Sequence, residues 1–103
     1  MNKLTTIKNN QTILENDKIT KFFSYNTLIA TINKNKQNNN LEFTNYWNYS
    51  QTTLKYLYQF LEMYKSRLAN NIYTKVINAL DCTNKKASLQ TLIDAKIIKL
   101  AKN

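Results

Sequence analysis

The chain contains no glycine, no proline and no histidine, and has a single cysteine and a single arginine. Each absence removes a chemistry. Without glycine no phosphate-cradling glycine loop can be built. Without histidine the commonest general base and the commonest metal ligand are both missing. Cys82 stands alone, so neither a disulfide framework nor a cysteine-based metal site is available; the chain reads as intracellular, with Cys82 a half-buried small apolar residue. No apolar run exceeds three residues, against the about 20 that a membrane helix needs, and residues 1–8 lack the apolar core of an export signal. A soluble, cytoplasmic protein is expected.

Acidic residues are also few: Glu15, Asp17, Glu42, Glu62, Asp81 and Asp94. Glu15 and Asp17 straddle a turn, where solvated carboxylates are expected ahead of a cation site. No Tyr or Lys has an activating neighbour that would make it an acid, base or nucleophile. The reading is a non-enzyme with no cofactor and no metal.

What is present is positive charge. Lys and Arg number 15 against six acids, for a net charge of +9 over 103 residues, a length that makes one domain with a modest core. Clustered cations favour an anionic partner. The excess is discounted, because Lys outnumbers Arg 14 to 1 and Asn occurs 17 times, which reads as the codon bias of an AT-rich genome. Lys is a flexible point charge, whereas the fork that phosphate favours belongs to Arg67 alone.

Hydrophobic periodicity predicts strands first. Residues 4–8 and 11–15 form a candidate hairpin around Asn9-Asn10, a pair that tolerates positive φ. Asn16-Asp17-Lys18 is a second turn signal, after which residues 19–33 alternate as one long strand, interrupted at Ser24 and Asn26 by a bulge or bend. Residues 34–40 carry no apolar side chain and read as a solvated loop. Residues 41–44 return antiparallel, completing a meander of three or four strands.

At Ser50 the period changes to that of a helix. Ser50 or Thr52 caps it, and Leu54, Leu57, Tyr58, Leu61 and Leu68 form its core stripe. Tyr56, Phe60 and Met63 are assigned to the opposite side, leaving a narrow polar strip at Lys55, Gln59, Glu62 and Ser66. A helix this apolar must face a second layer or a partner. Ala69, Ile72, Tyr73, Val76, Ile77 and Leu80 mark a second helix, ended at residues 81–84, where a cap can begin a third through Leu89, Leu92, Ile93, Ile97 and Leu100. Lys96, Lys99 and Lys102 are placed in its last turn, opposing the helix dipole. The fold class is α+β: an antiparallel meander followed by about three helices, with residues 66–103 a C-terminal helical pair.

The aromatic residues carry the binding reading. Tyr46, Trp47, Tyr49, Tyr56 and Tyr58, interleaved with Lys55, are suited to stack on unpaired bases while the cation meets the backbone. They would equally anchor a protein interface, and more than half of them are expected to serve as core. The working surface is expected to combine the Tyr56, Phe60 and Met63 face with Lys55, Lys65 and Arg67, with Tyr46 and Tyr49 nearby.

Phe23-Ser24-Tyr25-Asn26-Thr27 followed by Ile29-Ala30, and Trp47-Asn48-Tyr49-Ser50-Gln51-Thr52-Thr53 with Phe60-Leu61, resemble a small uncharacterised domain of bacteriophage and mobile-element proteins. The resemblance covers residues 22–61, a strand-strand-helix unit of about two-fifths of the chain. The family pattern places His or Asn inside the helix, where this chain has Tyr56 or Tyr58. The resemblance implies a binding protein in the host cell, similar to anti-CRISPR inhibitors: its partner would be a host defence effector or that effector's guide RNA. The alternative it implies is a basic RNA- or DNA-binding accessory protein of replication or regulation.

Overall fold

A computed structural model of the chain describes residues 2–101. Six strands form one sheet in the order β1 (Lys3–Lys8), β2 (Gln11–Glu15), β3 (Ile19–Ser24), β4 (Thr27–Asn33), β5 (Leu41–Phe43) and β6 (Lys99–Leu100). Neighbours are antiparallel except β5 and β6, which are parallel. Between β5 and β6 lie α1 (Gln51–Tyr64), α2 (Asn70–Asp81) and α3 (Lys85–Asp94). The fold is α+β, strands first and helices after.

The sheet has six strands where the periodicity predicts three or four, and two local events account for the difference. The segment expected as one long strand turns back on itself: Ser24 pairs with Thr27, leaving Tyr25-Asn26 as a two-residue hairpin loop. Both loop residues have positive φ, 51° and 70°, the requirement of a type I′ turn usually met by Asn-Gly. The expected irregularity is present as well, one step away. Phe22 pairs with Ala30 but Phe23 with Leu28, so β4 bulges and buries Ile29 and Ala30 together.

The second event is at the C-terminal end. The helix predicted to run through Leu100 stops at Asp94, because Lys96 takes φ 65° and reverses the chain. The Ile97 N–H then donates to the Leu92 carbonyl at 2.9 Å and the Lys96 N–H to that of Ile93 at 3.0 Å, the paired bonds of a Schellman motif made without glycine. Ile97 and Ile98 pass over the core and Lys99–Leu100 pair with β5. Lys96 and Lys99 therefore do not neutralise a last helical turn, and Lys102 lies outside the described residues.

Alternation along the strands buries one face of the sheet against the helices. Ile13, Phe22, Ala30, Ile32, Leu41 and Phe43 meet Leu57, Phe60 and Leu61 of α1, with Phe22 and Phe60 stacked at 5.5 Å between ring centroids. Phe60 is fully buried, not on the outer side of α1. It lies three residues beyond Leu57, about 60° from the centre of the stripe, and so belongs to the core face with Thr53, Leu54 and Tyr64. Leu4, Leu14, Lys21, Thr31, Glu42 and Lys99 share a row on the other face, which stays partly open.

The loop expected to be solvated from 34 to 40 is anchored at its end. Asn40 is buried; its amide nitrogen donates to the carbonyls of Asn33 and Arg67, and its side-chain oxygen accepts from Ala69 N–H at 2.8 Å. Ala69 is the N-cap of α2 and its side chain caps nothing, but its own free N–H, one of the unpaired donors at the helix start, is satisfied by Asn40 from 29 residues away. Cys82, expected to be half-buried, is exposed because the turn between α2 and α3 lifts it off the core. Among the described residues no helix is long and apolar enough to cross a membrane.

Candidate functional site

The turn-rich segment between β5 and α1 is built by short-range bonds. Trp47 N–H donates to the Thr44 carbonyl at 3.1 Å and Tyr49 N–H to that of Tyr46 at 3.1 Å, two successive turns that bring Ser50 to the head of α1. Ser50 caps α1, its hydroxyl oxygen accepting from Thr53 N–H at 3.1 Å. Thr44 ties the segment to the β4 bulge: its hydroxyl donates to the Leu28 carbonyl at 2.6 Å and its N–H to that of Ile29 at 2.9 Å. Trp47 plugs beneath, only 3% exposed, stacked on Phe43 at 5.4 Å.

This scaffold holds Tyr46 and Tyr49 outward, at 45% and 78% exposure, opposite the β3–β4 turn that carries Tyr25 at 63%. The three tyrosines line one cleft of about 460 Å³, with Ser24, Thr27, Ile29, Ser50 and Thr53 as its remaining walls. Ser24 and Thr53 are buried at its base, their hydroxyls 3.5 Å apart, and Ser50 Oγ donates to Thr53 Oγ1 at 3.1 Å. The cleft is thus aromatic at the rim and hydroxyl-rich at the floor. It adjoins the first turn of α1, which contains no acidic residue.

Tyr25 is held there against its own preference. A bulky residue at φ 51° is an outlier in a position that Asn or Gly fills more cheaply, and its N–H is fixed by the Asn10 carbonyl at 2.7 Å. Nothing in the turn requires an aromatic side chain; the cleft uses one.

The residues expected to form one working surface are dispersed. Tyr46 and Tyr49 meet in the cleft. Lys55 is exposed with its Nζ 5.4 Å from the Tyr56 ring centroid, and Tyr56 is half-buried against the core. Lys65 and Arg67 follow the far end of α1, about 20 Å along the helix axis from its cap. Lys65 pairs with Glu62 at 3.6 Å, and Arg67 is engaged by Glu15. Arg67 is therefore a structural cation, and charge reversal there would disturb the fold as well as the surface. Phe60 is core. Among the described residues no three His, Cys, Asp or Glu side chains gather in a way that would hold a metal ion.

Sequence reasoning missed Tyr25, Thr27 and Thr53 as partners of Tyr46 and Tyr49. The available signal was the paired position of the motif segments 23–27 and 47–53, which fold onto opposite walls of the same cleft.

Comparison with curated proteins finds no match, and comparison with solved structures finds none. Residues 1–86, which include every residue lining the tyrosine cleft, match a family described as "Family of unknown function (DUF8033)", and the chain belongs to that family.

Proposed function

We propose that the protein acts by binding, without catalysis, and that its ligand is an unpaired nucleic-acid strand. The observation that carries this reading is the convergence of Tyr25, Tyr46 and Tyr49, all exposed, on a single cleft of a chain with net charge +9. Exposed aromatic faces on separate loops stack on bases of any sequence, and a strand stacked in this way leaves its phosphates free to meet cations beyond the cleft. A duplex buries its base faces and offers the cleft nothing to stack on.

The setting proposed for this activity is the one that the motif resemblance implies: in the cytoplasm of a host cell, the protein inhibits a nucleic-acid-guided defence complex by engaging its exposed guide RNA. A second reading, an accessory RNA- or DNA-binding protein, is favoured by the same cleft, since it requires only a bare strand. Titration of labelled single and double strands at low and physiological salt, alongside a cleavage assay with a guided effector, separates them. Tight binding to bare single strands at physiological salt with no effect on cleavage supports the accessory role. Inhibition of cleavage together with binding to single strands supports the inhibitor, whereas inhibition without strand binding would place the contact on the effector's protein and overturn the strand reading. Binding to neither would sink both.

A further inference from the structure

We propose that the tyrosine cleft is one end of a track, and that the bound strand continues over the first turn of α1 onto Lys85 and Lys86. This rests on the nucleic-acid reading above and adds a direction and a second set of contacts to it.

The track is drawn by adjacency. Ser50 and Thr53 line the tyrosine cleft, while Gln51 and Leu54, on the next side of the same helical turn, line a second groove of about 540 Å³ with Tyr58, Asn84, Lys85 and Lys86. The second groove is floored by the start of α3, whose cap Asn84 accepts from Ala87 N–H at 3.0 Å. The two grooves therefore lie on either side of the first turn of α1, the second of them at the head of α3, and neither first turn carries an acidic residue. Among the described residues no carboxylate lines either groove.

Three other hollows differ in one of these respects. The one between the 34–40 loop and β6 includes Asp94, and the one over the strand ends includes Glu42. The groove beside the N-terminus of α2 has Lys34, Lys36 and Arg67 but no aromatic ring, and Lys34 and Arg67 are both engaged by Glu15. The path from Tyr25, Tyr46 and Tyr49 to Lys85 and Lys86 joins stacking surfaces to cations with no acid among the described residues that line it. Lys85 and Lys86 are available for it: Lys86 is exposed, and the one bond of Lys85 Nζ, to the Cys82 carbonyl, is long at 3.5 Å.

The test compares a mononucleotide, thymidine monophosphate, with an oligothymidylate of about eight residues, within the footprint usual for single-strand binders. The oligomer is expected to bind more tightly. The paired substitution Lys85→Gln and Lys86→Gln should reduce the salt slope of oligomer binding by about 1.4, two phosphates at about 0.7 each on a single strand, and leave mononucleotide binding unchanged. Lys36→Gln, at the far end of β4, should leave the slope as it is. Circular dichroism of each variant confirms that it is folded. An unchanged slope in the paired variant, a slope reduced instead by Lys36→Gln, or equal affinity for monomer and oligomer would overturn the track while leaving the cleft as a base-stacking site. Failure of the parent protein to bind either ligand would overturn the functional reading itself.

Discussion

Arg67 reaches back across 52 residues to grip Glu15 with two bonds, Nε to Oε2 at 2.9 Å and Nη2 to Oε1 at 3.3 Å. Lys34 Nζ at 3.1 Å and Thr20 Oγ1 at 2.9 Å donate to the same Oε2, and the guanidinium lies 4.9 Å from the Tyr64 ring centroid. The only arginine of the chain thus ties the end of α1 to the β2–β3 hairpin. A lysine would not replace it, because a point charge cannot make both bonds and stack at once.

Arg67→Ala should therefore destabilise the fold by about 1 to 2 kcal/mol, toward the lower part of the range for bonds to charged groups because Arg67 is about a third exposed. Arg67→Lys should recover only part of the loss. Urea unfolding followed by circular dichroism measures both; equal midpoints for all three proteins would show the pair to be inert.

The same pair predicts an acid dependence. Burial alone raises the Glu15 pKa, but hydrogen bonds from Arg67, Lys34 and Thr20 and the Arg67 charge outweigh it, and the carboxyl titrates below its ordinary 4.5. A depressed folded-state pKa contributes stability above the unfolded-state value and loses it as pH falls through the folded-state value. The stability gap between the parent and Glu15→Gln should be steady from neutral pH down to that ordinary value and close below it. A gap that persists undiminished at strongly acid pH would show that the carboxylate charge is not its source.

Trp47→Ala should cost about 3 to 5 kcal/mol, because the indole is buried and stacked on Phe43 beneath the loop that carries Tyr46 and Tyr49. Loss of ligand binding should accompany it even where the variant remains folded, since the two turns above lose their support. A variant with parental stability would mean that the loop holds itself.

Lys96→Gly should stabilise the chain by about 1 kcal/mol, since glycine meets the left-handed conformation of the Schellman turn without the clash of a Cβ. Thermal unfolding in the two proteins decides it. A lower midpoint for the glycine variant would mean that the lysine side chain makes contacts worth more than its backbone cost.

Tyr25→Asn separates stability from function. Asn suits the first position of a type I′ turn, so the variant should gain about 0.5 to 1 kcal/mol, while losing one wall of the cleft and binding single strands several-fold more weakly. Gain in both stability and affinity would remove Tyr25 from the site.

Local chemistry alone determined much of this protein. Ser50 and Asn84 begin helices because their side chains accept from the first free N–H groups, and Asn9-Asn10 turns because Asn tolerates positive φ; Leu54, Leu57 and Leu61 face inward by simple periodicity. These signals act within a few residues and are legible as such. What tertiary structure decided required a partner distant in the chain. Tyr25-Asn26 becomes a turn without glycine because Ser24 finds Thr27 and the Tyr25 N–H finds Asn10. The apolar residues after Asp94 continue a helical pattern yet end as a strand, because β5 offers an open edge that the local sequence cannot report. The candidate site was placed by the approach of the loops that carry Tyr25 and Tyr46. A cleft is a property of that approach, so its members are named by the sequence only after the fold has brought them together.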